Sequence, residues 1–162
     1  MRVGFIGLGT MGGSMALNVQ AAEYEVIVND LRREVAAPHM KAGATWADNA
    51  QEVAANADIV FTSLPGPREV EAVAEGLIAG LKPGTAWFDL STNSPTVVRR
   101  LQARFAAKGI AMLDAPVSGG PRGAKTRKLA LWVGGERADF DRYRTVLDAI
   151  GDQVLYIGPI GA

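Results

Sequence analysis

Arg2-Val3-Gly4-Phe5-Ile6-Gly7-Leu8-Gly9-Thr10-Met11-Gly12 stands at the very start of the chain and decides how the rest is read. Arg2–Ile6 is a short, mostly apolar run, the pattern of a buried strand. Gly7, Gly9 and Gly12 follow at once in G-x-G-x-x-G spacing. Beyond them Met15, Leu17 and Val19, beside the small residues Gly12 and Ala16, predict a helix that packs closely on a sheet. Strand, glycine turn and helix in this order make the dinucleotide-binding fingerprint. Gly7 permits the tight turn, Gly9 lets backbone approach a pyrophosphate, and Gly12 allows close helix–strand packing. Unpaired N–H groups at the helix start then meet the phosphates, where the partial positive charge of the helix end favours an anion.

Outward from this turn, strands and helices alternate. Glu25–Asn29 reads as a second strand ending at Asp30, and Arg33–Ala42 as a helix closed by Gly43. Asp48-Asn49-Ala50-Gln51 has the form of a capping box for a short helix to about Ala55. Asp58–Leu64 is a strand stopped by Pro65-Gly66-Pro67; Val70, Val73 and Leu77 then recur at helical spacing. Thr85–Leu90 is a strand, and Ser94-Pro95 starts a helix with a capping serine and proline in its first turn. Ile110–Leu113, Leu129–Val133 and Val154–Ile157 complete the strands, with a helix marked by Phe140, Tyr143, Leu147 and Ile150 before the last. The pattern predicts an α/β fold of Rossmann type: one doubly wound, mostly parallel sheet with helices on both faces, three layers in all. Residues 1–162 read as one dinucleotide-binding domain, and Gly158–Ala162 as a junction to a further segment.

Composition narrows the function. Seventeen basic and seventeen acidic residues balance without a basic stripe, so neither nucleic acid nor a membrane surface is an expected partner. There is no cysteine and only one histidine, His39, so no metal site is expected. No signal peptide or membrane-length apolar run is visible, and the expected compartment is the cytoplasm. His39 is expected on an exposed helix face, and Trp46, Trp87 and Trp132 in the core or an interface.

Asp30 is the next informative residue. An acidic side chain ending the second strand accepts hydrogen bonds from the adenosine ribose hydroxyls of NAD. A 2′-phosphate would meet its charge, so Asp30 favours NAD over NADP; Arg32 and Arg33 beside it keep NADP possible. Asn29 and Leu31 flank it in the same candidate cofactor site, which also takes in Gly7, Leu8, Gly9, Thr10, Met11 and Gly12. By itself, Leu64-Pro65-Gly66-Pro67 reads as a strand terminator, and Ser94 as a cap. Ser118-Gly119-Gly120 divides evenly between a turn and a site.

A family resemblance adds to this. Gly4 through Asn18, then Ser63-Leu64-Pro65, Ser91-Thr92, Asp114-Ala115-Pro116-Val117-Ser118-Gly119-Gly120 and Val133-Gly134-Gly135 resemble, in order, the signature blocks of the β-hydroxyacid dehydrogenases. These include 3-hydroxyisobutyrate dehydrogenase and, more distantly, 6-phosphogluconate dehydrogenase. The resemblance implies that Leu64 and Pro65 border the nicotinamide half of the cofactor, that Thr92 lies close to the nicotinamide, and that Ser118, Gly119 and Gly120 bind the substrate carboxylate. It implies reversible hydride transfer between nicotinamide and a small 3-hydroxy acid or its semialdehyde, by a parent protein that is a homo-oligomer. Arg127-Lys128 depart from the family, which carries glycine and a small polar residue there. The family's catalytic lysine lies on a helix beyond Gly161, leading into an all-helical domain. No catalytic residue is therefore assigned here, and the chain alone is expected to bind dinucleotide without dehydrogenase activity. The alternatives are an NADPH-dependent semialdehyde or imine reductase, and a non-catalytic dinucleotide-binding module.

Overall fold

Strands whose residues alternate between two apolar faces need covering on both sides, and this chain supplies the cover from the helices between them. The computed structural model describes residues 1–162. The first half runs β1 (Arg2–Ile6), α1 (Thr10–Ala21), β2 (Glu25–Asn29), a 3₁₀ turn (Arg33–Ala36), α2 (Ala37–Lys41), β3 (Thr45–Trp46), α3 (Ala50–Ala55) and β4 (Ile59–Thr62). It continues with α4 (Pro67–Gly80), β5 (Ala86–Asp89), α5 (Pro95–Ala106) and β6 (Ala111–Asp114). The chain then adds β7 (Val117–Ser118), α6 (Gly120–Thr126), β8 (Ala130–Gly134), α7 (Arg137–Asp148) and β9 (Gln153–Gly158). No helix is long and apolar enough to cross a membrane.

The strand order is β3-β2-β1-β4-β5-β6-β8-β7, with β9 on β8. β1 to β6 are parallel throughout. β8 runs antiparallel to β6 and β7 and parallel to β9, so the sheet is mostly parallel, as expected. From β1 the chain winds outward to β2 and β3, then returns to place β4 on the other side. That reversal opens a crevice at the carboxyl ends of β1 and β4, where ligands bind in open α/β sheets.

Two cores hold the layers together. On one face Phe5, Phe61 and Phe88 sit in register across β1, β4 and β5. Their neighbouring ring centroids lie 5.9 and 5.7 Å apart, and Tyr143 of α7 meets Phe88 at 5.8 Å. On the other face Trp87 packs on Phe105 of α5 at 4.9 Å. Fully burying each such ring contributes about 1.5–3 kcal/mol, so these central strands form the rigid floor of the crevice.

Several local features differ from the pattern. The helix over 33–42 begins as a 3₁₀ turn, and the two-residue β3 is too short to show periodicity. The cap of α3 is Asn49, not Asp48: its Oδ1 accepts the Glu52 N–H at 2.8 Å, while the Glu52 carboxylate accepts the Asp48 N–H at 3.1 Å. The box is shifted by one residue, in the frame that buries Val53 and Ala54. Ser94 occupies the cap position of α5 but makes no side-chain cap; its N–H donates to Asn93 Oδ1 at 2.7 Å. His39 is buried at 2% exposure, not exposed, with Nε2 placed 2.8 Å from the Gly13 carbonyl oxygen. A Cβ on Gly13 would stand 2.9 Å from the Leu8 carbonyl oxygen but an ordinary 3.7 Å from His39 Cε1. Trp87 is core, one of the two places expected for the tryptophans, and Trp132 is 37% exposed and so not core. Arg127 ends α6 in the left-handed conformation, φ +60°, where a non-glycine residue is strained.

Candidate functional site

At the end of β1 the chain turns within one residue. Gly7 takes φ +96°, yet its N–H still follows the sheet and donates to the Asn29 carbonyl at 3.0 Å. A methyl group on Gly7 would overlap the Ser63 carbonyl oxygen, and one on Gly12 would overlap the Gly7 carbonyl oxygen. α1 is thereby drawn down onto the ends of β1 and β4. Its cap is Gly9, at φ −69° and ψ −162°, without any side-chain cap. The first closing bond of the helix runs from Gly13 N–H to Gly9 oxygen at 2.8 Å. The N–H groups of Gly9, Thr10, Met11 and Gly12 therefore have no protein acceptor. Above Gly9 the space is open: a Cβ there would have no neighbour within 4 Å.

That space is a cavity of about 550 Å³, within the range of small-molecule and cofactor sites. The glycine turn lines it with Gly7, Gly9, Thr10, Met11 and Gly12, and the end of β2 with Asn29, Asp30 and Leu31. Ser63, Leu64 and Pro65 after β4, and Glu69, Ala72 and Val73 of α4, close the other wall. No lysine, arginine or histidine lines it. Asp30 is tied to the turn: its Oδ2 accepts the Leu8 N–H at 2.8 Å, and its Oδ1 accepts the Arg32 N–H at 3.0 Å. Leu8 itself is buried in the core and serves through its backbone. The Asn29 side chain faces β3, donating to the Ala47 carbonyl at 2.8 Å. Leu31 is a fully exposed apolar side chain at the cavity's edge. The Arg33 guanidinium lies 5.4 Å from the Trp46 ring centroid, so Arg33 is stacked away from the cavity.

The loops after β4 and β5 are joined through a buried carboxylate. Leu64 N–H donates to Ser91 Oγ at 2.8 Å, and Ser91 N–H to Asp89 Oδ1 at 3.1 Å. Thr62 Oγ1 donates to the same oxygen at 2.9 Å while accepting Trp87 Nε1–H at 2.9 Å. Asn93 Nδ2 donates to Asp89 Oδ2 at 3.0 Å. Asp89 is wholly buried with no cationic partner. Burial pushes its carboxyl above the ordinary value, and the hydrogen bonds from Asn93, Ser91 and Thr62 only partly oppose this. Asp114 lies opposite it in the register and is also raised, chiefly by burial; the Gly161 N–H bond at 3.0 Å opposes that shift.

Ten residues assigned to the cofactor from sequence thus converge on one cavity: Gly7, Gly9, Thr10, Met11, Gly12, Asn29, Asp30, Leu31, Leu64 and Pro65. Thr92, Ser118, Gly119 and Gly120 do not line it; all four are exposed, Thr92 on the loop after β5, Ser118 at the end of β7, and Gly119 and Gly120 at the cap and first residue of α6. Sequence reasoning missed Ser63, Glu69, Ala72 and Val73, and the buried linker Ser91. Glu69 and Val73 are four apart on α4, one face of a helix, but Val73 carries the same apolar spacing as the core residues Val70 and Leu77.

The model of the NAD-binding domain of 6-phosphogluconate dehydrogenase matches residues 2–158. The chain belongs to this family, the NAD-binding domain of the β-hydroxyacid dehydrogenases. 2-(Hydroxymethyl)glutarate dehydrogenase of Eubacterium barkeri is 39% identical, over all of this chain and 55% of that protein. The 3-hydroxyisobutyrate dehydrogenase of Mycobacterium tuberculosis, solved with L-serine, superposes with a TM-score of 0.95 at 35% identity, over 99% of this chain and 55% of that one. An imine reductase of Streptomyces aurantiacus gives a TM-score of 0.89 at 27% identity, over 98% of this chain and 56% of that one. The chain spans about half the length of the curated relatives it matches.

Proposed function

We propose that residues 1–162 form one domain that binds NAD in this cavity and serves as the cofactor half of an oxidoreductase acting on a small 3-hydroxy acid or its semialdehyde. The observation that carries the reading is the convergence of unpaired N–H groups and one carboxylate on a single cavity. The N–H groups of Gly9, Thr10, Met11 and Gly12 are poised to hold a pyrophosphate. Asp30, fixed by Leu8 and Arg32 N–H groups, offers its remaining lone pairs to the ribose hydroxyls. Gly9, with open space above it, lets the phosphates approach the backbone. These residues fit a dinucleotide, whose nicotinamide supplies or accepts the hydride when bound.

Leu64 and Pro65 form the wall beside the nicotinamide half, and Thr92 lies on the next loop, braced by Ser91 and Asn93 through Asp89. Ser118, Gly119 and Gly120 present a hydroxyl and backbone donors to the substrate carboxylate. No lysine borders the cavity, so this chain holds and orients the cofactor, and the proton for the product oxygen is assigned to none of its residues. Two of the relatives named above, the Eubacterium and Mycobacterium enzymes, are named as dehydrogenases of small hydroxy acids, which supports that substrate class; the cytoplasm is the compartment proposed. An imine reductase is the second reading, supported by the Streptomyces neighbour, but the acidic Asp30 and the lack of any cation on the wall favour NAD over NADP.

Calorimetric titration tests this. NADH is expected to bind at least about tenfold more tightly than NADPH, because a phosphate facing Asp30 meets a like charge. Asp30→Ser is expected to narrow that gap from both sides, strengthening NADPH as the like charge goes and weakening NADH as the ribose acceptor is lost. Tighter binding of NADPH would overturn the cofactor choice and favour the second reading.

A further inference from the structure

Of the glutamates on α4, Glu71 and Glu75 are paired with Arg100 and Arg104 of α5. Glu69 makes no ion pair and no hydrogen bond. It is half-buried and lines the cofactor cavity beside Ala72 and Val73. A carboxylate next to a pyrophosphate would repel it, so Glu69 belongs beside another part of the ligand. The nicotinamide half is assigned to the loops after β4 and β5, and the ribose hydroxyls to Asp30. What remains is the adenine base, a flat ring whose exocyclic N6 amine is a hydrogen-bond donor. Ala72 and Val73 give such a ring an apolar wall, and Glu69 places an acceptor on the same wall.

We infer that Glu69 accepts a hydrogen bond from the adenine N6 amine and makes the cavity selective for adenine over hypoxanthine. The inference rests on the NAD reading above. In the hypoxanthine dinucleotide a carbonyl oxygen replaces the amine, so two acceptors face each other across the same gap. A site built to accept from a donor rejects the analogue that lacks it. Glu69 also sits in the first turn of α4, where an acidic residue suits the helix end. That role makes no distinction between bases, so base selectivity separates the two.

The test is titration of the protein with NADH and with reduced nicotinamide hypoxanthine dinucleotide. The wild type is expected to favour NADH by roughly tenfold. In Glu69→Gln the amide turns to donate to the hypoxanthine oxygen, and in Glu69→Ala the acceptor is gone. In both variants the preference falls to within about twofold, while the thermal midpoint drops by no more than about 1–4 °C from the lost helix-end charge. Equal affinity of the wild type for both dinucleotides, or a preference that survives both substitutions, overturns the inference while leaving NAD binding standing. Binding of neither dinucleotide overturns the cofactor reading and the inference with it.

Discussion

A Gly9→Val protein folds like the wild type and loses dinucleotide binding, whereas Gly12→Ala damages the fold itself. Both glycines belong to one turn, but their surroundings are opposite. Gly9 has φ −69° and ψ −162°, which any residue adopts, and open space where a Cβ would stand. A valine there strains nothing in the protein and fills the place where phosphates meet the N–H groups. Loss of two or more charge-assisted hydrogen bonds corresponds to an affinity fall on the order of 100-fold or more. Gly12 has no such freedom, because a methyl group would drive into the Gly7 carbonyl and approach Ser63 Cβ to 3.0 Å. Overpacking against backbone costs about 1–3 kcal/mol or more, and α1 would lift from the sheet. Thermal unfolding with NADH titration separates the two: Gly9→Val is expected near the wild-type midpoint without binding, and Gly12→Ala well below it.

Removing the buried carboxylate has the second large effect. Asp89→Ala leaves the Thr62 hydroxyl, the Ser91 N–H and the Asn93 amide without their acceptor. The expected loss is about 3 kcal/mol, a fall of roughly 6–12 °C in thermal midpoint for a chain of this size. The same change loosens the loops that carry Leu64 and Thr92 but not Asp30 or the glycine turn. Affinity for NADH should therefore fall several-fold while affinity for ADP-ribose holds. The pH dependence has a definite sign. The Asp89 carboxyl is raised above its ordinary 3.8 in the folded protein. Its contribution to stability is fully present below that ordinary value and is lost as pH rises through the raised one. Asp89→Asn, which stays uncharged, should gain on the wild type as pH climbs through this range. A difference between the two that is flat with pH would show that Asp89 is not buried as a strained carboxylate.

The fold was legible because periodicity and punctuation agreed. Short apolar runs ending at Gly7, Asp30, Pro65 and Leu90 alternate with helical spacing, and that alternation admits one common architecture. The glycines and Asp30 were legible because their residue types are dictated by close backbone approach and by ribose chemistry. Features made by tertiary context were not. His39 reads as surface until α2 folds behind Gly13. α6 and β7 are hidden in a glycine- and proline-containing stretch that local propensity calls a turn. Ser91 looks like any loop serine until the parallel pairing of β4 and β5 brings it under Leu64. Glu69 shares its helix with paired glutamates, and only the direction it faces sets it apart.

The glycine turn can be watched directly. In a two-dimensional ¹⁵N–¹H NMR titration with NADH, the amides of Gly9, Thr10, Met11 and Gly12 are expected to shift together and saturate at one equivalent, along with Asp30 and Leu31. Saturating shifts confined to another face of the protein, or no shifts at these amides at millimolar NADH or NADPH, would contradict a dinucleotide site at the end of β1.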